Sequence, residues 1–160
     1  PTRRSSDLPT VALIVLTLSL GGLLVNFGLV SAVMTPLAAH LNSHAKLVTA
    51  ALATCIGINI FVGEQFLSII LPGRSFKETF NNGGLESSAL GRTLEDGGTV
   101  LNYLVPWGVG GVFLANTLGV PTMTYLPFVF FSLLCPVMSL ISGFTGIGLH
   151  TESERAEANI

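Results

Sequence analysis

The chain has 160 residues, 49% of them hydrophobic and only 10% charged, with a formal net charge of -2. Soluble domains carry about 25% charged residues, and the mean hydropathy here is +0.70, which points away from an ordinary soluble domain and towards a membrane protein. The slight acidic balance argues against a nucleic-acid partner. Cys55 and Cys135 each lie inside an apolar segment and read as buried hydrophobes, not as a disulfide framework.

The chain opens Pro1-Thr-Arg-Arg-Ser-Ser-Asp-Leu8. The codons CCT ACA CGA CGC TCT TCC GAT CT of a sequencing adapter, translated in this frame, give the same octapeptide. Residues 1–8 therefore carry no information about the fold, like any processing scar. The first residue is not Met, and the expectation is the C-terminal part of a longer protein. Residues 9–149 are expected to form an all-α, polytopic membrane region, and 150–160 a polar, frayed tail. Residues 8–45 and 97–151 contain no Asp, Glu, Lys or Arg, and such windows exceed the ~20 apolar residues needed to cross a bilayer.

Segment A is predicted at about 11–33, with Gly21, Gly22 and Gly28 allowing close helix approach and Pro36 near its end. The link at 38–46 holds His40 and His44, four apart. A metal site needs further ligands, so these read as interfacial polar residues. Segment B is predicted at about 47–71. Its centre, Gly57-Ile-Asn-Ile-Phe-Val-Gly-Glu-Gln65, predicts a break or unwound turn, the alternative being one continuous helix with Glu64 facing protein. Pro72-Gly73 is expected to end it.

A polar loop is predicted at 74–92, where Ser75-Phe-Lys-Glu78 reads as the capping box of a short interfacial helix. It holds Arg74, Lys77 and Arg92, against Lys46 in the A–B link, which predicts a cytoplasmic loop. Segment C, about 94–118, opens with the acid pair Glu95 and Asp96 and is interrupted at Asn102-Tyr-Leu-Val-Pro-Trp-Gly108. Two half-helices with a non-helical connection are expected, a form tolerated at membrane depth only where protein or a water-lined cavity covers it. Segment D is predicted at about 125–147, kinked at Pro136.

Each break carries oxygen-bearing side chains: Asn59, Glu64 and Gln65 at the first, and Glu95, Asp96, Thr99 and Asn102 at the second. Such oxygens, completed by carbonyls of unwound backbone, suit a hard cation in a secondary transporter. Proton and sodium can compete for one carboxylate, which is the minimal mechanism of cation/proton exchange. Other readings stand beside this one. Thr93-Leu-Glu-Asp96 also reads as a helix start, with Thr93 as cap and Glu95 serving the dipole. Asn59, Thr99 and Asn102 suit interhelical hydrogen bonds as well as they suit ligation, and Trp107 suits packing or interfacial anchoring. No nucleophile elbow, phosphate-binding loop or zinc pattern appears, so neither an enzyme nor a cofactor is expected.

Four motifs in linked order suggest a family: Gly63-Glu-Gln-Phe-Leu-Ser-Ile-Ile-Leu-Pro-Gly-Arg74, Arg92-Thr-Leu-Glu-Asp-Gly-Gly-Thr99, Pro106-Trp107 and Leu118-Gly-Val-Pro-Thr122. From about Leu18 to Gly146 the chain closely resembles the C-terminal region of NhaC-type sodium/proton antiporters, within the ion-transporter superfamily. The resemblance implies one half of an inverted-repeat transporter with discontinuous (broken or re-entrant) helices, exporting sodium against proton entry in a bacterial-type plasma membrane. It implies as partners sodium, protons, the bilayer and the missing N-terminal half of the same protein. Glu64 and Asp96 would carry the exchanged charge. Some members exchange organic acids such as malate for lactate, which is one alternative, and a non-transporting membrane subunit is another. The chain departs from the family in having Glu64-Gln65-Phe66 for the usual Asp-Gln-Tyr, which adds a methylene to the acid. Gly108 stands for the usual Asn after Pro-Trp, which removes a side-chain oxygen.

Overall fold

The computed structural model describes residues 3–28, 32 and 43–149. Pro36, His40 and the tail from residue 150 lie outside the described residues, as does the end of segment A. The helices are α1 (Arg3–Asn26), α2 (His44–Val62), α3 (Gln65–Asn82), α4 (Ser87–Leu94), α5 (Val100–Asn102), α6 (Val109–Leu118), α7 (Thr122–Tyr125) and α8 (Phe130–Thr145). A π-turn, Glu95–Thr99, joins α4 to α5 without interruption, and a 3-10 turn, Leu126–Phe128, follows α7.

The break expected in segment B is present, and the chain doubles back there. Gly63 takes φ 72, a left-handed conformation in which any other residue is strained. Glu64 is extended and caps α3, its Oε2 accepting from Leu67 N at 2.9 Å. The start of α2 then meets the end of α3: His44 Nε2 hydrogen-bonds Gly83 O at 2.9 Å, and a Cβ on Gly83 would lie 2.9 Å from Leu47 Cδ1. The two helices thus form an antiparallel hairpin with Gly63–Glu64 at its tip. Between them and α4 lies the core of Leu47, Val48, Ala51, Cys55, Phe76 and Phe80.

The expected stop at Pro72-Gly73 does not occur, because α3 runs through both residues. A proline inside a helix costs about 3 kcal/mol. Phe76 and Phe80, one and two turns beyond it, are fully buried, and each is worth about 1.5–3 kcal/mol in that position. Ending the helix at Pro72 would forfeit both, so tertiary packing wins. Ser75–Glu78 is accordingly the interior of α3 and not the start of a new helix. The Thr93 cap is corrected in the same way. The helix begins at Ser87, and Thr93 Oγ1 donates back to Ala89 O at 2.9 Å within it.

Segment C is also broken, between Asn102 and Val109. α6 packs against α1, α5 and α7. α8 lies along α2 and touches the π-turn, with Gly143 so close to Val48 that a Cβ would sit 2.9 Å from Val48 Cβ. α8 passes through Pro136, and a bend of 60° lies before it at Val129, where Thr122–Phe128 and Phe130–Thr145 meet. Among the described residues α2 is long and apolar enough to cross a membrane, and the bent pair adds a second span if taken together. Val11–Leu24 and Val109–Leu118 are shorter apolar helices.

Candidate functional site

The two breaks touch. Gly63 O accepts from Val109 N at 2.9 Å, and Trp107 Nε1 donates to Ile60 O at 2.7 Å. The backbones approach so closely that a Cβ on Gly63 would lie 3.0 Å from Gly108 Cα. The hairpin tip and the unwound Tyr103–Gly108 stretch therefore form one seam.

Beside this seam the π-turn presses into the hairpin. A Cβ on Gly97 would stand 2.9 Å from both Cys55 Cβ and Leu52 Cδ1, and one on Gly98 would stand 2.6 Å from Ile69 Cγ1. Single π-turns recur at functional sites, since they change the phase of a helix and loosen its carbonyl ladder. Here Val100 N bonds Glu95 O, and the carbonyls of Gly97 and Gly98 both accept from Asn59 Nδ2, at 3.0 and 2.7 Å. Asn59 Oδ1 in turn accepts from Asn102 Nδ2 at 3.0 Å. Asn59 is 1% exposed and Asn102 4%, so this clasp is dry. Gln65 Nε2 reaches Thr99 Oγ1 at 3.4 Å.

Five of the seven residues singled out in the sequence thus sit at the meeting of the two breaks: Asn59, Glu64, Gln65, Thr99 and Asn102. Within that group Asn59 has both amide hydrogens engaged by carbonyls and its oxygen engaged by Asn102, so it acts as a strut. Glu64 is 5% exposed and has a capping role that the sequence did not suggest. One carboxylate oxygen, Oε2, holds Leu67 N.

Asp96 faces another way. Its Oδ2 accepts from Ser139 Oγ on α8 at 2.5 Å. Glu95 is exposed, and among the described residues no side-chain hydrogen bond joins it to the clasp. The sequence reading missed Ser139, and it missed Tyr103, which bonds Ser132 through its hydroxyl and takes the Tyr125 hydroxyl on its carbonyl at 2.8 Å. The available signal was the series Ser132, Ser139 and Ser142, spaced by two turns and then one along an otherwise apolar helix. All three are buried. Among the described residues no group of three or more His, Cys, Asp or Glu is placed to hold a metal ion.

A family profile described as the Na+/H+ antiporter family matches residues 5–147. The chain is 43% identical over 139 residues to the Na(+)/H(+) antiporter NhaC of Bacillus subtilis, covering 87% of this chain and 31% of that protein. It is 41% identical over 147 residues to the Na(+)/H(+) antiporter NhaC of Alkalihalophilus pseudofirmus, covering 92% and 32%. It is 39% identical over 132 residues to the arginine/ornithine antiporter ArcD of Halobacterium salinarum, covering 81% and 27%. The chain therefore spans about a third of the length of the curated relatives it matches. These relatives are named as antiporters and not as enzymes. No solved structure matches the chain.

Proposed function

The chain belongs to the Na+/H+ antiporter family, and from that premise we propose that it is the ion-binding C-terminal part of a polytopic secondary transporter that exchanges sodium for protons. The observation that carries this reading is the buried carboxylate of Glu64 at the tip of a helical hairpin, where that tip meets a second helix break. A carboxylate at such depth is costly unless it serves an ion or a proton. Helix ends at a break supply the partial charges that complete a cation shell.

In this reading Glu64 is the carboxylate ligand at the seam, Gln65, Thr99 and Asn102 line the same place, and Asn59 fixes the π-turn against the hairpin. Asp96, on the face of the π-turn turned to α8, is the second exchangeable carboxylate. Glu95 takes no direct part. The α2–α3 hairpin is the re-entrant element of one repeat and α4–α6 its broken span. The partner repeat lies in the remainder of the protein. The setting is a bacterial-type plasma membrane, with the turn between α3 and α4 on the cytoplasmic side, where Arg74, Lys77 and Arg92 favour it.

The test uses the full-length protein in proteoliposomes. A sodium gradient should drive proton movement, and Glu64→Gln and Asp96→Asn should each slow it by about tenfold or more. Undiminished exchange in both variants would remove them as charge carriers. The similarity to an arginine/ornithine antiporter makes labelled arginine and ornithine necessary counter-substrates, and the malate-for-lactate alternative adds labelled malate. Sodium-independent exchange of any of these, with no sodium-driven proton flux, would replace sodium/proton exchange by solute exchange at the same seam.

A further inference from the structure

We propose that Trp107 is a positioning residue for the ion site, its indole N–H holding the Gly63–Glu64 tip in register with the Tyr103–Gly108 break. This rests on the exchange reading above for its transport consequence, and on geometry alone for its structural one.

The last turn of any helix leaves carbonyl groups without intrahelical partners. In α2 the chain turns at Gly63, and Glu64 goes extended. Ile60 O, which would have paired with Glu64 N had the helix continued, takes Trp107 Nε1 in its place at 2.7 Å. An indole has one donor and no acceptor, so the direction of this bond is fixed and no rotation of the ring replaces it. The indole is also held firmly from its own side. Gly108 N donates to Val105 O at 3.0 Å, closing a turn with Pro106 and Trp107 at its centre. Two residues beyond Trp107, Val109 N donates to Gly63 O. The tip is thus gripped at Ile60 and again at Gly63, both on the α2 side of Glu64.

Packing among the described residues does not account for the side chain. Trp107 is 57% exposed there, while its one polar atom is engaged by Ile60 O. Trp107→Phe keeps an apolar ring of similar bulk and removes only the donor. The variant should therefore purify at wild-type yield.

The experiment compares full-length wild type with Trp107→Phe by two readouts. The first is backbone amide exchange across residues 60–67, which should become about tenfold faster in the variant if the tip loses one of its two grips. The second is sodium-driven proton flux in proteoliposomes. Its apparent KM for sodium should rise about tenfold, the order lost when a ligand's supporting hydrogen bond is removed. The maximal rate should stay within about twofold, because no group that binds the ion has changed. Unchanged amide exchange at the tip overturns the proposal, and so does a fall in maximal rate with KM unchanged. A wild type that moves no protons on a sodium gradient overturns the exchange reading instead, and the amide exchange still decides the role of Trp107.

Discussion

Replacing Asn59 separates a strut from an ion ligand. Its amide makes three buried hydrogen bonds, to Gly97 O, Gly98 O and Asn102 Nδ2, and all three join segments far apart in sequence. Interhelical hydrogen bonds inside membranes average about 0.6 kcal/mol each, so Asn59→Ala should destabilise the protein by about 2 kcal/mol. Asn59→Asp discriminates further, because it preserves shape. It keeps an oxygen for Asn102 but turns a carboxyl group towards two carbonyl oxygens that had been taking N–H donors. Ala leaves the same two carbonyls without donors, but Asp also sets against them a buried negative charge or opposed lone pairs, which costs several kcal/mol more. A strut therefore predicts that Asp is worse than Ala. A cation ligand predicts the reverse order in the presence of sodium, since an added negative charge would tighten the site. The measurement is the thermal midpoint of the purified full-length protein in detergent, with and without sodium. A variant carrying Asp that is as stable as wild type, or more stable than Ala in sodium, would refute the clasp.

Other consequences follow from the close approaches. Gly97→Ala places a methyl against Cys55 Cβ and the Leu52 carbonyl, with 2.9 and 3.3 Å to share, and should cost about 1–3 kcal/mol by the same thermal assay. Gly21→Ala meets only the end of a flexible side chain, Leu67 Cδ1, so a second change, Leu67→Ala, should recover most of the loss, whereas no single partner change should rescue Gly97→Ala. Ser139→Ala removes the hydroxyl that Asp96 accepts from. If Asp96 is an exchanging carboxylate, this should alter the pH dependence of exchange without lowering protein yield, and an identical pH profile would argue that the pair is structural.

The sequence shows where the chain must break, and much less about what happens after each break. Gly57–Gln65 and Asn102–Gly108 announce themselves because glycine, proline and polar amides interrupt apolar runs that are otherwise uniform. The course of the chain after each break is decided by long-range packing, such as Leu47 on Gly83 after the first and α6 on α1 after the second, and no local pattern encodes it. Pro72 misleads for the same reason: it is a local stop signal overruled by the burial of Phe76 and Phe80. The acid pair was the opposite case. Glu95 and Asp96 are adjacent, and only the phase of the π-turn determines that one is exposed while the other meets α8.

The contact between the hairpin tip and the second break is made largely of main chain: a glycine carbonyl, a valine amide and two α-carbons. Main-chain contacts do not depend on the identity of most residues that carry them. Gly63, left-handed at φ 72 and with a Cβ position 3.0 Å from Gly108 Cα, cannot acquire a side chain without parting the two elements, but Phe61, Val62 and Val109 can change freely while the bond from Val109 N to Gly63 O persists. Substitutions that reshape the surroundings of Glu64 can therefore accumulate around a joint that stays mechanically constant. A saturation library over residues 61–63 and 109 should record this as one intolerant column, Gly63, set among permissive neighbours.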